Sequence, residues 1–264
     1  MIKLIATDMD GTFLNSQKQF DKQFFDIFFK LKEKGIKFVV ASGNQYQRLY
    51  QKFIPMSSDM IFIAENGSLI ADGTKVLYKN TIKKEHVQQI CEIFEKLNDC
   101  FIILCSQKAA YVKNVHEAYK DVVSTYYCSY EFVESFEDIY DEGIMKIAIY
   151  DPKEDIQVFL NKVKDQLPEG VKVVTSGNMW MDIQNKNINK GIALTYVQDL
   201  FNISPEESMA FGDQMNDYEL LQSVKYSYAM ENAVDPIKNI AYAICPNNEE
   251  QGVIQTIEDY LKNT

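Results

Sequence analysis

Ile2-Lys-Leu-Ile-Ala-Thr-Asp8-Met-Asp-Gly-Thr12 is the stretch on which the reading of this chain turns. The run from Ile2 to Thr7 is short, apolar and β-branched, as a strand buried on both faces of a parallel sheet should be. It leads into two carboxylates. Residues two apart in extended chain project the same way, so Asp8 and Asp10 are expected to converge, and two negative charges that close need a cation or a shared proton. Gly11 permits a sharp turn, and Thr12 adds a hydroxyl and a potential helix cap. Alone, Asp-x-Asp at a strand end is an ordinary acidic turn; three other short segments supply the chemistry this one lacks.

Working outward, apolar residues Phe24, Ile27, Phe28 and Leu31 predict a helix over 21–34, closed by Gly35, and a second strand follows over 36–41. Strand, crossover helix and strand make a βαβ unit, hence a parallel sheet with right-handed connections. That strand ends in Ser42-Gly43-Asn44, before a helix over 45–53, and a third strand over 60–64 ends in Glu65-Asn66-Gly67 before a hairpin through Asp72-Gly73. The rhythm then changes. Helices over 84–97, 115–127 and 153–166 alternate with strands over 101–105, 110–112, 144–150, 171–175 and 179–184. Paired strands between helices predict an α+β unit with an antiparallel sheet, inserted into the first domain. The expected division is a core of residues 1–82 and 186–264 and an insert of 83–185. The βα rhythm resumes with Asn189-Lys190-Gly191 opening a helix to Phe201, a strand over 208–211 ending in Gly212-Asp213, and Asn216-Asp217 in the next turn. Segments 225–230 and 242–245 suit edge strands before a last helix over 250–262.

In an open α/β sheet, ligands bind at the carboxyl ends of the strands where chain direction reverses. That rule gathers Asp8 and Asp10, Ser42 and Gly43, and Asp213, Asn216 and Asp217 along one rim, with Lys190 reaching it from a helix start. Clustered carboxylate oxygens without His or Cys suit a hard cation, and magnesium is the expected ion. The set suits phosphoryl transfer: Asp8 as nucleophile, magnesium and Lys190 neutralising the phosphoryl oxygens, Ser42 and Gly43 as donors, Asp10 as acid and then base.

With these four segments, Asp8-Met-Asp-Gly-Thr12, Ser42-Gly43, Asn189-Lys190-Gly191 and Gly212-Asp213-Gln-Met-Asn216-Asp217, the chain resembles the haloacid dehalogenase superfamily, in its Cof-type subfamily. Phe38-Val-Val-Ala-Ser-Gly-Asn-Gln-Tyr46, Ala64-Glu-Asn-Gly67 and Val174-Thr-Ser-Gly177 point to a bacterial sugar-phosphatase branch, and the likeness runs over nearly the whole length. The resemblance implies a Rossmann-like parallel-sheet core with an inserted α+β cap of type C2. It implies magnesium on the Asp8 side chain, the Asp10 backbone carbonyl and Asp213, with Asp217 behind these ligands. Phosphate or substrate would meet Met9, Thr12, Ser42, Gly43, Asn44, Lys190 and Asn216. Many relatives have Thr-Gly-Arg where this chain has Ser42-Gly43-Asn44, so Asn44 or Arg48 stands in for an arginine. Glu65, Asn66, Tyr111, Asn178 and Trp180 are candidates to face the substrate, although Tyr111 and Trp180 suit the core of cap strands equally well.

Composition narrows the partners. A net charge of −11 gives phosphate backbones and anionic membranes no foothold, so neither nucleic acid nor membrane is expected. A small phosphorylated metabolite would need concentrated positive charge from the ion, the lysine and helix N-termini. Apolar runs are too short to span a bilayer and no signal-peptide pattern is present, so the expectation is a cytoplasmic protein, monomeric or weakly homo-oligomeric. Five cysteines without metal spacing read as reduced thiols, mostly buried. The expected reaction is hydrolysis of small phosphomonoesters, sugar phosphates first, with pyridoxal phosphate and nucleotides as other substrates. A phosphomutase or phosphotransferase would use the same intermediate. A phosphorylated signalling switch is opposed by the second acid, Asp10, and by the long insert.

Overall fold

The computed structural model describes residues 1–97, 100–153, 156–176 and 179–264. They form two compact units, one of Met1–Gly43, Leu49–Leu77 and Asn189–Thr264, the other of Asn44–Arg48 and Tyr78–Ile188. The boundaries expected at 83 and 185 fall inside the second unit. In chain order the strands and helices up to the second unit are β1 (Leu4–Thr7), α1 (Phe24–Glu33), β2 (Lys37–Ala41), α2 (Tyr46–Lys52), β3 (Ile61–Ala64), β4 (Leu69–Asp72) and β5 (Lys75–Lys79). There follow α3 (Lys84–Glu95), β6 (Phe101–Cys105), β7 (Ala110–Lys113), α4 (Lys120–Tyr126), β8 (Tyr130–Val133), β9 (Lys146–Tyr150), α5 (Ile156–Val163), β10 (Val171–Ser176) and β11 (Trp180–Asn185). The chain closes with α6 (Lys190–Phe201), β12 (Ser208–Gly212), α7 (Tyr218–Gln222), β13 (Tyr226–Met230), α8 (Asp235–Ile240), β14 (Ala243–Cys245) and α9 (Gly252–Lys262).

The first unit is built on a sheet of order β14-β13-β12-β1-β2-β3-β4-β5. From β14 to β3 neighbouring strands run parallel, and β4 returns antiparallel. From β1 the chain builds outward through β2 and β3, then crosses to the other side for β12, β13 and β14, so its winding reverses beside β1. Thr7 is in register with Val40 on one side and Phe211 on the other, which brings the segments after β1, β2 and β12 out on one rim. All four residues of β1 are buried, which is why its sequence is a continuous apolar run and not an alternating one. Helix α1 buries the expected stripe Phe24, Ile27, Phe28 and Leu31. It starts later than expected, because the Asp21 carboxylate accepts from the Gln23 N–H at 2.8 Å and holds a turn. Phe13, just past the acidic loop, packs edge-on against Phe24 at 4.8 Å and anchors the loop's exit in the core.

The second unit has a sheet of order β10-β11-β9-β6-β7-β8. Alternation along its strands feeds two cores: Ile102, Leu104, Ile147, Ile149, Met181 and Ile183 face Val87, Ile90 and Phe94 of α3 and Ile156 of α5, while Phe101, Ile103, Cys105, Ala148 and Tyr150 join Val123 of α4. Two expectations are corrected here. The helix over 115–127 is a 3-10 segment, Asn114–Tyr119, followed by the short α4. The sheet is not wholly antiparallel, because an unanticipated strand, β8, pairs parallel with β7.

Candidate active site

Each acid of the rim is placed by the end of a strand or a helix start. The Asp8 N–H donates to the Phe211 carbonyl at 3.0 Å, carrying the β1–β12 ladder one residue beyond the strand. Lys190 begins α6, whose cap is the Asn189 side chain accepting from the Ile192 N–H at 2.8 Å. Gly191 is required next, since a Cβ there would lie 2.3 Å from the Glu219 carbonyl oxygen. The lysine, fully buried, donates to Asp8 Oδ1 at 2.5 Å and to Asp217 Oδ1 at 2.6 Å. Asp217 Oδ2 accepts from the backbone N–H groups of Asp213 and Gln214 at 3.0 and 3.1 Å. Thr12 donates its hydroxyl to Asp213 Oδ1 at 2.8 Å. Gly11 lies in the left-handed region at φ 85°, and a Cβ there would sit 2.5 Å from Asp213 Oδ2. The first loop thus closes on Asp213 only because residue 11 lacks a side chain.

Asp8, Asp213 and Asp217 each bring a carboxylate oxygen within 4.8 Å of the others, all buried. Burial first, then repulsion from Asp217, raises the Asp8 pKa well above the ordinary value; Lys190 acts against this. Asp213 is raised to about 6, chiefly by burial, although the Thr12 hydroxyl pulls the other way. Burial alone would lower the Lys190 pKa, but Asp217 and Asp8 outweigh it and raise it, so the lysine stays charged. With all three carboxylates ionised, one ammonium leaves two negative charges in a buried place, which a divalent cation would neutralise. Only oxygen ligands are offered, the donor set of a hard ion such as magnesium. Asp217 has one oxygen on Lys190 and the other on two backbone N–H groups, so Asp8 and Asp213 are the acids that fit the ion.

The extended-chain alternation expected of the opening loop stops early: β1 ends at Thr7, and Met9 lies in a turn whose carbonyl accepts from Leu14 N–H at 2.9 Å. Asp10 instead pairs with Lys18 at 2.7 Å, its side chain 42% exposed, outside the acidic group. Lys18 was not singled out from sequence; it sits at φ 58° in a tight loop organised by the Asn15 side chain. Thr12 caps no helix, and its hydroxyl serves Asp213.

Ser42 and Gly43 follow β2 on the same rim. The Ser42 N–H donates to the Ile63 carbonyl at 2.8 Å and its carbonyl accepts from the Asn66 N–H at 3.0 Å. A Cβ on Gly43 would lie 2.9 Å from Asn66 Oδ1, and Glu65 and Asn66 both adopt left-handed backbone there, at φ 50° and 55°. Met9 is buried and Asn216 half-buried in the turn before α7. Asn44 and Arg48 belong to the second unit, where the Arg48 guanidinium donates to the Thr125 carbonyl. Tyr111 is a core residue of that unit and Trp180 packs between Tyr126 and Tyr150; Asn178 and Gly177 lie outside the described residues.

A family profile described as haloacid dehalogenase-like hydrolase matches residues 5–257. The chain belongs to that family. It is 32% identical, over 99% of its length and 97% of the relative's, to the 5-amino-6-(5-phospho-D-ribitylamino)uracil phosphatase YbjI of Escherichia coli. A crystal structure of SMU.1108c from Streptococcus mutans superposes with a TM-score of 0.88 at 34% identity, covering 99% of this chain and all of that one. A subclass IIB sugar phosphatase, BT4131, shares the fold with a TM-score of 0.80 at 21% identity over 98% of each chain. With phosphatases as relatives over its whole length, this family member is a phosphatase. Among the described residues no helix is long and apolar enough to cross a membrane.

Proposed function

We propose that the chain hydrolyses small phosphomonoesters, sugar phosphates foremost, with magnesium and through an aspartyl phosphate on Asp8. The observation that carries this reading is the buried Asp8–Lys190–Asp217 line beside Asp213, three carboxylates around one ammonium. Asp8 attacks phosphorus as the bond to the leaving oxygen breaks, and Asp10 protonates that oxygen. Asp10, now a carboxylate, takes a proton from water as the water oxygen displaces Asp8 and releases inorganic phosphate. Lys190 holds Asp8 in one rotamer and puts positive charge beside the phosphoryl group; Ser42, Gly43, the Met9 backbone and Asn216 hold its oxygens. Magnesium on Asp8, Asp213 and the Asp10 carbonyl would supply the remaining positive charge on those oxygens. Asp10 must leave Lys18 or bring it along to reach the leaving oxygen. The second unit is the substrate-selecting cap.

The E. coli relative is named for a phosphorylated ribityl chain, which makes a sugar-alcohol phosphate a specific second substrate to weigh against the sugar phosphates. A panel of hexose and pentose phosphates, ribitol 5-phosphate, nucleotides and pyridoxal phosphate, assayed with magnesium and with chelator, tests the reading. Turnover of one or more members that disappears with chelator is the expected result; turnover unaffected by chelator contradicts it. Accumulation of a sugar bisphosphate would identify a mutase.

A further inference from the structure

We propose that Lys146, Asp182 and Gln184, on one face of the second unit's sheet, bind the hydroxyl groups of a polyol leaving group. The inference rests on the phosphatase reading and names the part of the substrate that this unit recognises. Strand alternation puts Asp182 and Gln184 on the face of β11 opposite to Met181 and Ile183, and Lys146 on the face of β9 opposite to Ile147 and Ile149. The register Ile147↔Ile183 and Ala148↔Asp182 continues to set Lys146 beside Gln184. Lys146 is 4% exposed and lies 3.2 Å from Asp182 Oδ2. Gln184 is fully buried, and its Nε2 donates to the Ile188 carbonyl at 3.4 Å, which turns Oε1 the other way. Among the described residues nothing donates a hydrogen bond to that oxygen. Trp180, two residues before Asp182 on the same face, has a buried indole N–H that likewise has no acceptor among the described residues. The residues beside Lys146 on this face, Ala148 and Cys105, are small.

A buried ion pair contributes little stability compared with apolar residues of the same volume, and a buried acceptor with no donor is a net cost. Neither burial nor the ion pair accounts for the Gln184 oxygen. A hydroxyl group does. It accepts from Lys146 Nζ while donating to Asp182 or to Gln184 Oε1, and a vicinal diol satisfies both acceptors at once. Burial raises the Asp182 pKa, and Lys146 acts against this. Its side chain, 21% exposed, is the open end of the group.

The test uses the full chain and two esters, ribitol 5-phosphate and p-nitrophenyl phosphate. Gln184→Leu, nearly equal in size, should raise KM for ribitol 5-phosphate about tenfold, the loss of one hydrogen bond, without lowering the melting temperature. Its kcat for that ester and both constants for p-nitrophenyl phosphate should stay within about twofold of wild type. Asp182→Asn should give the larger rise in KM, since a charged acceptor is removed. Unchanged KM for ribitol 5-phosphate in a folded Gln184→Leu overturns the proposal even if Asp182→Asn fails to fold. If wild type hydrolyses neither ester, it is the phosphatase reading that fails. The thermal shift given by ribitol 5-phosphate then decides the site: a shift lost in Gln184→Leu supports it, and an equal or absent shift overturns it.

Discussion

On the rim of the first unit Lys190 holds two carboxylates within 2.6 Å, and the second oxygen of Asp217 is taken up by backbone N–H groups. On the sheet of the second unit Lys146 holds one carboxylate at 3.2 Å, beside an amide oxygen that has no donor. The first arrangement is fixed by its own parts: strand ends, a helix cap and two glycines put each group where its neighbours already complete it. What it lacks is net positive charge, which an ion would supply. In the second, the Gln184 amide oxygen has no donor among the described residues, and a ligand hydroxyl would supply one. Preorganised electrostatics is what a reaction common to many esters needs, whereas unfilled donors and acceptors are what choosing among leaving groups needs.

Replacing each lysine separates the two regions most strongly. Lys190→Met leaves Asp8 and Asp217 buried without their cation and should cost about 3–5 kcal/mol of stability in denaturant titrations, with activity lost toward every ester. Lys146→Met should cost less, because Asp182 is a fifth exposed, and should raise KM for polyol phosphates while sparing p-nitrophenyl phosphate. Equal loss of activity toward all esters in both variants would erase the distinction.

Asp10→Asn comes next. It leaves nucleophile and lysine in place and removes proton transfer, so kcat for a poor alkoxide leaving group should fall by roughly a hundredfold to ten-thousandfold and for nitrophenolate much less. A loss independent of leaving group, measured over a series of esters, would remove Asp10 from the acid role. A smaller effect is expected from Gly11→Ala, which places a side chain at φ 85° and against Asp213; it should destabilise by about 1–3 kcal/mol and weaken magnesium binding measured calorimetrically.

The acidic group also predicts a modest pH effect. With Asp213 raised to about 6, the folded chain stripped of metal holds a proton that the unfolded chain releases nearer the ordinary carboxylate value. Its stability should therefore fall as pH rises through that window, and magnesium should restore what is lost by taking the proton's place. The rise in melting temperature on adding magnesium should be larger at about pH 7.5 than at about pH 5, and a rise independent of pH would contradict the assignment.

Much of the rim was legible because the motifs are short and strand ends are punctuated by composition: an apolar run, then Asp8; Ser42-Gly43; Gly212-Asp213. The parallel core followed from runs that alternate little, as in β1 and β12, both buried throughout. What escaped depended on chain direction after a strand stops. The turn at Met9 sends Asp10 to Lys18, and no spacing rule reaches from residue 10 to a loop lysine at positive φ. Sequence offers Thr12 only a local capping role, because its partner, Asp213, is two hundred and one residues away. In the second unit Tyr130-Glu-Phe-Val133 is too short and too exposed to announce a strand, and its pairing with β7 gives it order. The polar row of β11 was missed for the opposite reason: Asp182 and Gln184 interrupt a buried strand, and sequence alone reads such residues as its solvent face.

In the proposed mechanism Asp8 carries the phosphoryl group. Rapid quenching of the Asp10→Asn variant with an activated aryl phosphate, followed by mass analysis of the proteolysed chain, tests it directly. The expected result is a phosphoryl mass increase on the peptide containing Asp8, absent when Asp8→Asn is introduced as well. Covalent phosphate on any other residue, or turnover by Asp8→Asn, would contradict it.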